Sequence, residues 1–280
     1  MTGNRRHFLY VSVFIIIGAL VTFFLLTAIY QLPLAASEEA VEIDRLMQVH
    51  FALISVLFSL IVVFMLYAII VFRRRPGEDD VGVHFEGNTA LEIAWTVIPL
   101  ITVIVIGIWG AVILNDITRA EASEMQVDVL GEQWNWNFRY PNYEEVGVCR
   151  ELVLPVNRPV RLEMTSRDVI HSFWVVEFRV KQDLVPGHTT ILRFTPTEEG
   201  DYKVRCAEIC GLGHSEMRAD VRVVSEPEFE AWVSSQATAE DGPPPGPPPG
   251  TPPAPLPGEP PGASPEGSQQ VKRCFTPSSH

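Results

Sequence analysis

CAEICGLGHSEM, residues 206–217, is the stretch from which the rest of this chain can be read. It holds two thiols, Cys206 and Cys210, the imidazole of His214 and the thioether of Met217. One loop can fold these offsets around a metal. A second histidine, His171, lies upstream in DVIHSFWVVEF, residues 168–178. Two cysteines, two histidines and a methionine make a soft donor set suited to copper. A mononuclear blue-copper site needs one thiolate, two imidazoles and a weak axial Met. The second thiolate lets both sulfurs bridge a pair of copper ions. A rigid cage with delocalised charge changes geometry little on redox, which suits electron transfer better than bond chemistry. Two blander readings compete: Cys206 and Cys210 could close a disulfide in an oxidising compartment, or bind zinc. Zinc sites seldom recruit Met, and CxxxCxxxHxxM with a distant His is far more specific than CxxxC alone.

The chain has 280 residues, 47% of them hydrophobic, and a formal charge of −13. Its apolar residues concentrate near the N-terminus. Stretches 8–30, 46–72 and 91–114 each reach the roughly 20 residues that a membrane-spanning helix needs. Arg5 and Arg6 precede the first, and Arg73, Arg74 and Arg75 follow the second. Glu38, Glu39, Glu42 and Asp44 lie between them. The positive-inside rule puts the N-terminus and the arginine loop in the cytoplasm, and everything after residue 114 outside. Residues 1–36 read either as a signal peptide or as an extra transmembrane helix. Leu34-Ala35-Ala36 before Ser37 makes a passable cleavage site, although the apolar core exceeds the roughly 7–15 residues of a typical signal; cleavage is narrowly preferred. Outside the metal loop, Cys149 and Cys274 suggest no disulfide framework. Cys149 is expected as a free, partly buried thiol, and Cys274 receives no role.

From Met125 the pattern changes to short runs of period two, such as Val127-Asp128-Val129 and Val160-Arg161-Leu162-Glu163-Met164, punctuated by Pro, Gly and Asn. Roughly 100 residues of such strands read as a Greek-key β-sandwich. GEQWNWNFRY, residues 131–140, places Trp134, Trp136, Phe138 and Tyr140 at alternate positions, on one face of a strand. After about residue 224 the periodicity ends. A short helix or coil gives way to DGPPPGPPPGTPPAPLPGEPPGASPEG, residues 241–267, which is polyproline-like and cannot build a core.

At CAEICGLGHSEM (206–217) and His171 the chain resembles cytochrome c oxidase subunit II, the haem–copper oxidase subunit that carries the binuclear copper-A centre. The resemblance runs from about residue 49 to about residue 224. It implies a membrane-anchored all-β protein: N-terminal transmembrane helices followed by a cupredoxin-like Greek-key β-sandwich. Together with the leader and tail read from composition, the expected divisions are 1–36 for a possible signal peptide or extra transmembrane helix, 37–118 for a transmembrane hairpin, 119–230 for the copper-A domain and 231–280 for a Pro-rich disordered tail. By the family's pattern Cys206 and Cys210 bridge two copper ions. His171 and His214 bind one each, Met217 is a further ligand, and Glu208 gives its backbone carbonyl. The Glu208 side chain would also reach magnesium at the junction with subunit I. In the family's QWxW pattern the first tryptophan receives the electron, which maps to Trp134, while Trp136 and Tyr140 support the site. Asp168 becomes a group that orients the metal loop through hydrogen bonds. Glu92 in TALEIAWTVIP (89–99) becomes a candidate for the mouth of a proton channel; otherwise it is a helix N-terminal acid. Val176 departs from the pattern, standing where the family has proline.

The implied activity is relay of electrons from cytochrome c, or a similar small donor, through copper to haem in subunit I, where oxygen becomes water. The sequence has no CxxCH haem-attachment motif, and haem is expected only in the partner subunit. Residues 115–230 carry a net charge of about −8, a field able to steer a basic donor. Expected partners are subunits I and III, the donor and the membrane, with no nucleic acid. The expected location is a bacterial-type plasma membrane, with several spans and the copper domain on the outer face. Alternatives are the copper-A subunit of a nitric oxide reductase and a membrane-tethered copper-binding module. Quinol oxidase subunits lack the copper ligands.

Overall fold

The computed structural model describes residues 2–74, 76–77, 86–237 and 274. Arg75 of the expected arginine loop and the Pro-rich run 241–267 lie outside them. Three helices come first: α1 (Thr2–Ile29), α2 (Glu38–Val71) and α3 (Thr89–Ile117). At 28, 34 and 29 residues they are long and apolar enough to cross a membrane. Large apolar side chains such as Leu20, Phe24, Ile61 and Val103 stand exposed along them, as lipid-solvated helices require. Ser37 caps α2: its Oγ accepts from the Ala40 N–H at 3.1 Å, and Glu38 and Glu39 complement the dipole in the first turn. Asn88 caps α3 in the same way through Leu91 N at 3.2 Å. Pro99 lies inside α3. α1 packs along α2 where Gly18 meets Ser59; a Cβ on Gly18 would stand 3.2 Å from the Ser59 Cβ. This unit also takes in Glu177–Arg179, and Arg179 Nε donates to Asp44 at 2.9 Å.

The second unit begins at Ala120 and is a β-sandwich. Its strands are β1 (Met125–Glu132), β2 (Asn135–Arg139), β3 (Val148–Cys149), β4 (Leu152–Pro155) and β5 (Val160–Ser166), then β6 (His171–Val175), β7 (Lys181–Leu184), β8 (Thr190–Phe194), β9 (Gly200–Cys206) and β10 (Arg218–Val224). One sheet runs β3-β2-β1-β5-β8 and the other β4-β10-β9-β6-β7. The alternating runs of the sequence are these strands: Val127, Val129, Leu162 and Met164 are buried from the first sheet, and Phe173, Val175, Val204 and Val221 from the second. Each sheet also contains one parallel pair, β1 with β5 and β4 with β10. Period-two alternation carries no information about strand direction, so it could not reveal these pairs.

A last helix, α4 (Glu226–Ala237), follows β10 and runs past residue 230. Phe229 is fully buried, with its ring centroid 5.4 Å from that of Tyr143; Trp232 lies 5.3 Å from Tyr140. Tyr140 OH donates to Val153 O at 3.0 Å and accepts from Val153 N at 2.8 Å. Burial raises its pKa and keeps the phenol a donor.

The expectation for Cys149 is corrected here. It is buried and disulfide-bonded to Cys274, 125 residues further on. Two solitary cysteines at that separation show no spacing pattern, and only the folded chain brings them together. In the chain-entropy account, a cross-link closing a loop of about 100 residues contributes roughly 4–5 kcal/mol. Cys274→Ser is therefore expected to destabilise the outer domain by about 2–5 kcal/mol, read as a lower thermal midpoint at unchanged copper content. An unchanged midpoint would show that the bond does not constrain the domain.

Candidate metal centre

The second sheet brings the distant donors together. β6 and β9 pair antiparallel with Phe173 opposite Cys206, which places His171 two residues from that crossing on the same, inward face. His171 begins β6 and Cys206 ends β9, so both stand at one end of the sandwich. β9 and β10 are antiparallel neighbours, with Arg205 opposite Arg218, and 207–217 connects them. Cys206 N donates to Met217 O at 3.0 Å and Ala207 N to Ser172 O at 2.9 Å, clamping both ends of the loop. Gly211, at φ 115°, takes the left-handed backbone the turn needs, and His214 N closes it onto Gly211 O at 3.2 Å.

Six donors converge there. Cys206 Sγ and Cys210 Sγ stand 3.7 Å apart as free thiols, far beyond the roughly 2.05 Å of a disulfide. His171 Nδ1 lies 3.9 Å from Cys206 Sγ, and His214 Nδ1 lies 3.6 Å from Cys210 Sγ. Met217 Sδ is 3.8 Å from Cys210 Sγ, and the Glu208 carbonyl oxygen is 3.2 Å from Cys206 Sγ. His171, Cys206 and Cys210 form the one group of metal-ligating side chains recognised among the described residues. Two thiols, two imidazoles and a thioether fit copper by their softness, whereas magnesium and calcium prefer oxygen. Burial, followed by the Cys206 hydrogen bond and charge, pushes the Cys210 thiol up to about 12. Without metal the thiol keeps its proton at neutral pH, so metal binding must release it.

Around the donors lies a shell of hydrogen bonds. His171 is fully buried, and its Nε2 lies 2.8 Å from Asp168 Oδ1. With Nε2–H donating to the carboxylate, Nδ1 keeps a lone pair aimed at the sulfurs. Burial pushes the Asp168 carboxyl up, but bonds from His171, Gln133 N and Val169 N outweigh it and hold the pKa below the usual range. Asp168 Oδ2 accepts from Gln133 N at 2.7 Å, and Gln133 Nε2 donates to Cys210 O at 2.7 Å. Gln133 thus ties Asp168 to the metal loop. Nothing local in the sequence marks Gln133 beyond its place at the head of the QWNW motif, because its partners lie 35 and 77 residues away.

Trp134 does not share the buried face of β2. It lies in the turn between β1 and β2 and is 37% exposed, while Trp136 and Phe138 are buried. Its Nε1 donates to Cys210 O at 3.2 Å, and its ring covers Gly213, where a Cβ would stand 2.5 Å from Trp134 Cδ2. Trp136 packs edge-on to His171 with centroids 6.2 Å apart; Tyr140 packs against α4 instead. Glu208 is exposed in the loop. Glu92 belongs to the helical unit, in the first turn of α3, where Thr96 Oγ1 donates to its carbonyl oxygen at 2.8 Å. Two acids of the outer unit are already partnered: Glu132 accepts from Arg167 at 2.6 Å and Asp183 from Ser172 at 2.7 Å.

Residues 145–224 match the family described as cytochrome C oxidase subunit II, periplasmic domain, and residues 24–112 match its transmembrane domain. Cytochrome c oxidase subunit 2 of Synechocystis sp. is 31% identical over 256 residues, covering 74% of this chain and 76% of the relative. Its counterpart in Thermostichus vulcanus is 34% identical over 254 residues, covering 72% and 77%. The crystal structure of the periplasmic domain of subunit II of cytochrome oxidase from Bradyrhizobium japonicum shares 30% identity. It aligns with 43% of this chain and 99% of that one, at a TM-score of 0.40.

Proposed function

The chain belongs to the cytochrome c oxidase subunit II family, and from that membership we propose that it receives electrons from cytochrome c at a binuclear copper-A centre and passes them to haem in subunit I for reduction of oxygen to water. It is a membrane-bound subunit of an oxidoreductase complex, with its copper domain on the outer face. One observation carries the copper assignment: two free thiols 3.7 Å apart, flanked by His171, His214 and Met217. Cys206, Cys210, His171, His214, Met217 Sδ and the Glu208 carbonyl would hold the copper ions. Bound there, copper supplies a one-electron relay.

The chain's own groups perform the rest. Asp168 holds the His171 tautomer. Gln133 fixes the Cys210 carbonyl. Trp134, half in solvent and bonded to that same carbonyl, receives the electron from the docked donor. The exposed Glu208 side chain would reach magnesium at the junction with subunit I, and Glu92 would serve at the mouth of a proton path. Residues 37–118 form the hairpin anchor, and the copper domain runs from 119 through the end of α4 at Ala237.

The test is to purify the whole complex, count copper per chain and record near-infrared and electron paramagnetic resonance spectra. Two coppers per chain sharing one unpaired electron, with oxygen uptake driven by reduced cytochrome c, is the expected result. A single ion, or turnover of nitric oxide in place of oxygen, would overturn the reading. A gentler probe is Asp168→Asn. It leaves the ligands intact but loosens His171, and should weaken copper binding by about 10–100-fold. Copper affinity equal to wild type would remove Asp168 from the centre.

A further inference from the structure

The helical unit contains a groove of about 450 Å³ between α1 and α2, lined by His7, Phe8, Val11, Ile15, Phe64 and Tyr67 among others. Its walls are apolar, but one end is not. His7 Nδ1 meets Tyr67 OH at 2.6 Å, and the His7 ring lies 5.7 Å from that of Phe72. These contacts set the start of α1 beside the end of α2. Arg5 and Arg6 directly precede His7, Arg73 directly follows Phe72, and all three are exposed. No acidic residue occurs in 1–37 or in 45–77; the next acids, residues 78–80, lie outside the described residues. By the positive-inside rule this is the cytoplasmic end. An apolar slot between membrane helices, opening onto clustered cations at the inner surface, matches a ligand with acyl chains and an anionic headgroup.

The groove exists only if α1 remains attached. Cleavage after Ala36 would make Ser37 the new N-terminus. Ser37 is fully buried, its Oγ caps α2 and donates to Phe178 O at 3.1 Å, and Ala36 N donates to Glu177 O at 3.0 Å. An ammonium there would be desolvated at the positive end of a helix dipole. We propose that α1 stays in the assembled protein, and that its groove with α2 binds an anionic phospholipid whose headgroup sits against Arg5, Arg6 and Arg73.

The whole complex, released from native membranes in mild detergent, is examined by intact and native mass spectrometry. The expected subunit retains residues ahead of Ser37 and carries phosphatidylglycerol or cardiolipin. The triple variant R5Q/R6Q/R73Q is expected to lose roughly 100-fold in affinity for that lipid, the weight of three arginines near an anionic surface. Because those charges also help orient the chain, Ser12→Trp serves as a second variant: it fills the groove, keeps every charge and should displace the lipid as well. Neither variant touches a copper donor, so copper content at the wild-type value in both reports that the complex is inserted and assembled. A mature N-terminus at Ser37, retention of zwitterionic lipid only, or equal anionic lipid in wild type and both variants would overturn the proposal.

Discussion

Cys206→Ser is expected to remove the copper-A absorbance and nearly all donor oxidation. The reason lies in the spacing of the donors. Cys206 Sγ faces His171 Nδ1 at 3.9 Å, Cys210 Sγ at 3.7 Å and the Glu208 carbonyl at 3.2 Å, so one sulfur joins three parts of the site. A serine oxygen is hard where the site is soft, and it cannot bridge two ions as a thiolate does. Replacing a group that merely orients a ligand costs about 10–100-fold in affinity, and a bridging ligand should cost more than 100-fold. His214→Ala is expected to act in the same direction by removing the Nδ1 that faces Cys210 at 3.6 Å. The measurement is copper per chain together with turnover on reduced cytochrome c. Wild-type turnover in either variant would overturn the site assignment. The fold should survive, because Cys206 ends β9, His214 lies in the connection to β10, and the sheets retain their buried apolar faces.

Trp134→Ala is the second large effect, and it should separate electron arrival from metal binding. The indole sits 37% exposed, with its nitrogen on Cys210 O at 3.2 Å and its ring over Gly213. It contributes no metal ligand, so copper content and absorbance should stay unchanged. Oxidation of cytochrome c should fall by roughly 100-fold in kcat/KM, equivalent to about 2.7 kcal/mol in the barrier. Gly213→Val tests the same contact from the other side. Any side chain at 213 begins with a Cβ 2.5 Å from Trp134 Cδ2, so the ring must lift. An unimpaired rate in Trp134→Ala, at full copper loading, would mean that electrons arrive elsewhere.

The metal loop was legible because its chemistry is local: five of the six donors fall within residues 206–217, and the softness of their sulfur and imidazole atoms favours copper. The three apolar stretches were legible because hydropathy is a sum over neighbours in sequence, and the helices at Thr2–Ile29, Glu38–Val71 and Thr89–Ile117 cover each of them to within one residue. Alternation located several strands for the same reason. It failed at Trp134, where the chain turns between β1 and β2 and the period breaks with no change in composition. Gln133 escaped notice because an amide that bonds a carbonyl across 77 residues looks, in sequence, like any surface glutamine.

The kinds of atom available to the metal and the segments able to live in lipid were written in the sequence, since both depend on side-chain chemistry that neighbours do not change. The meeting of His171 with Cys206, the nitrogen that His171 turns to the sulfurs, the indole lying across Gly213 and the bond from Cys149 to Cys274 were decided by tertiary structure. Each depends on strand register and loop closure between residues far apart in the chain, where position is set by packing of the whole sandwich and not by any one stretch of it.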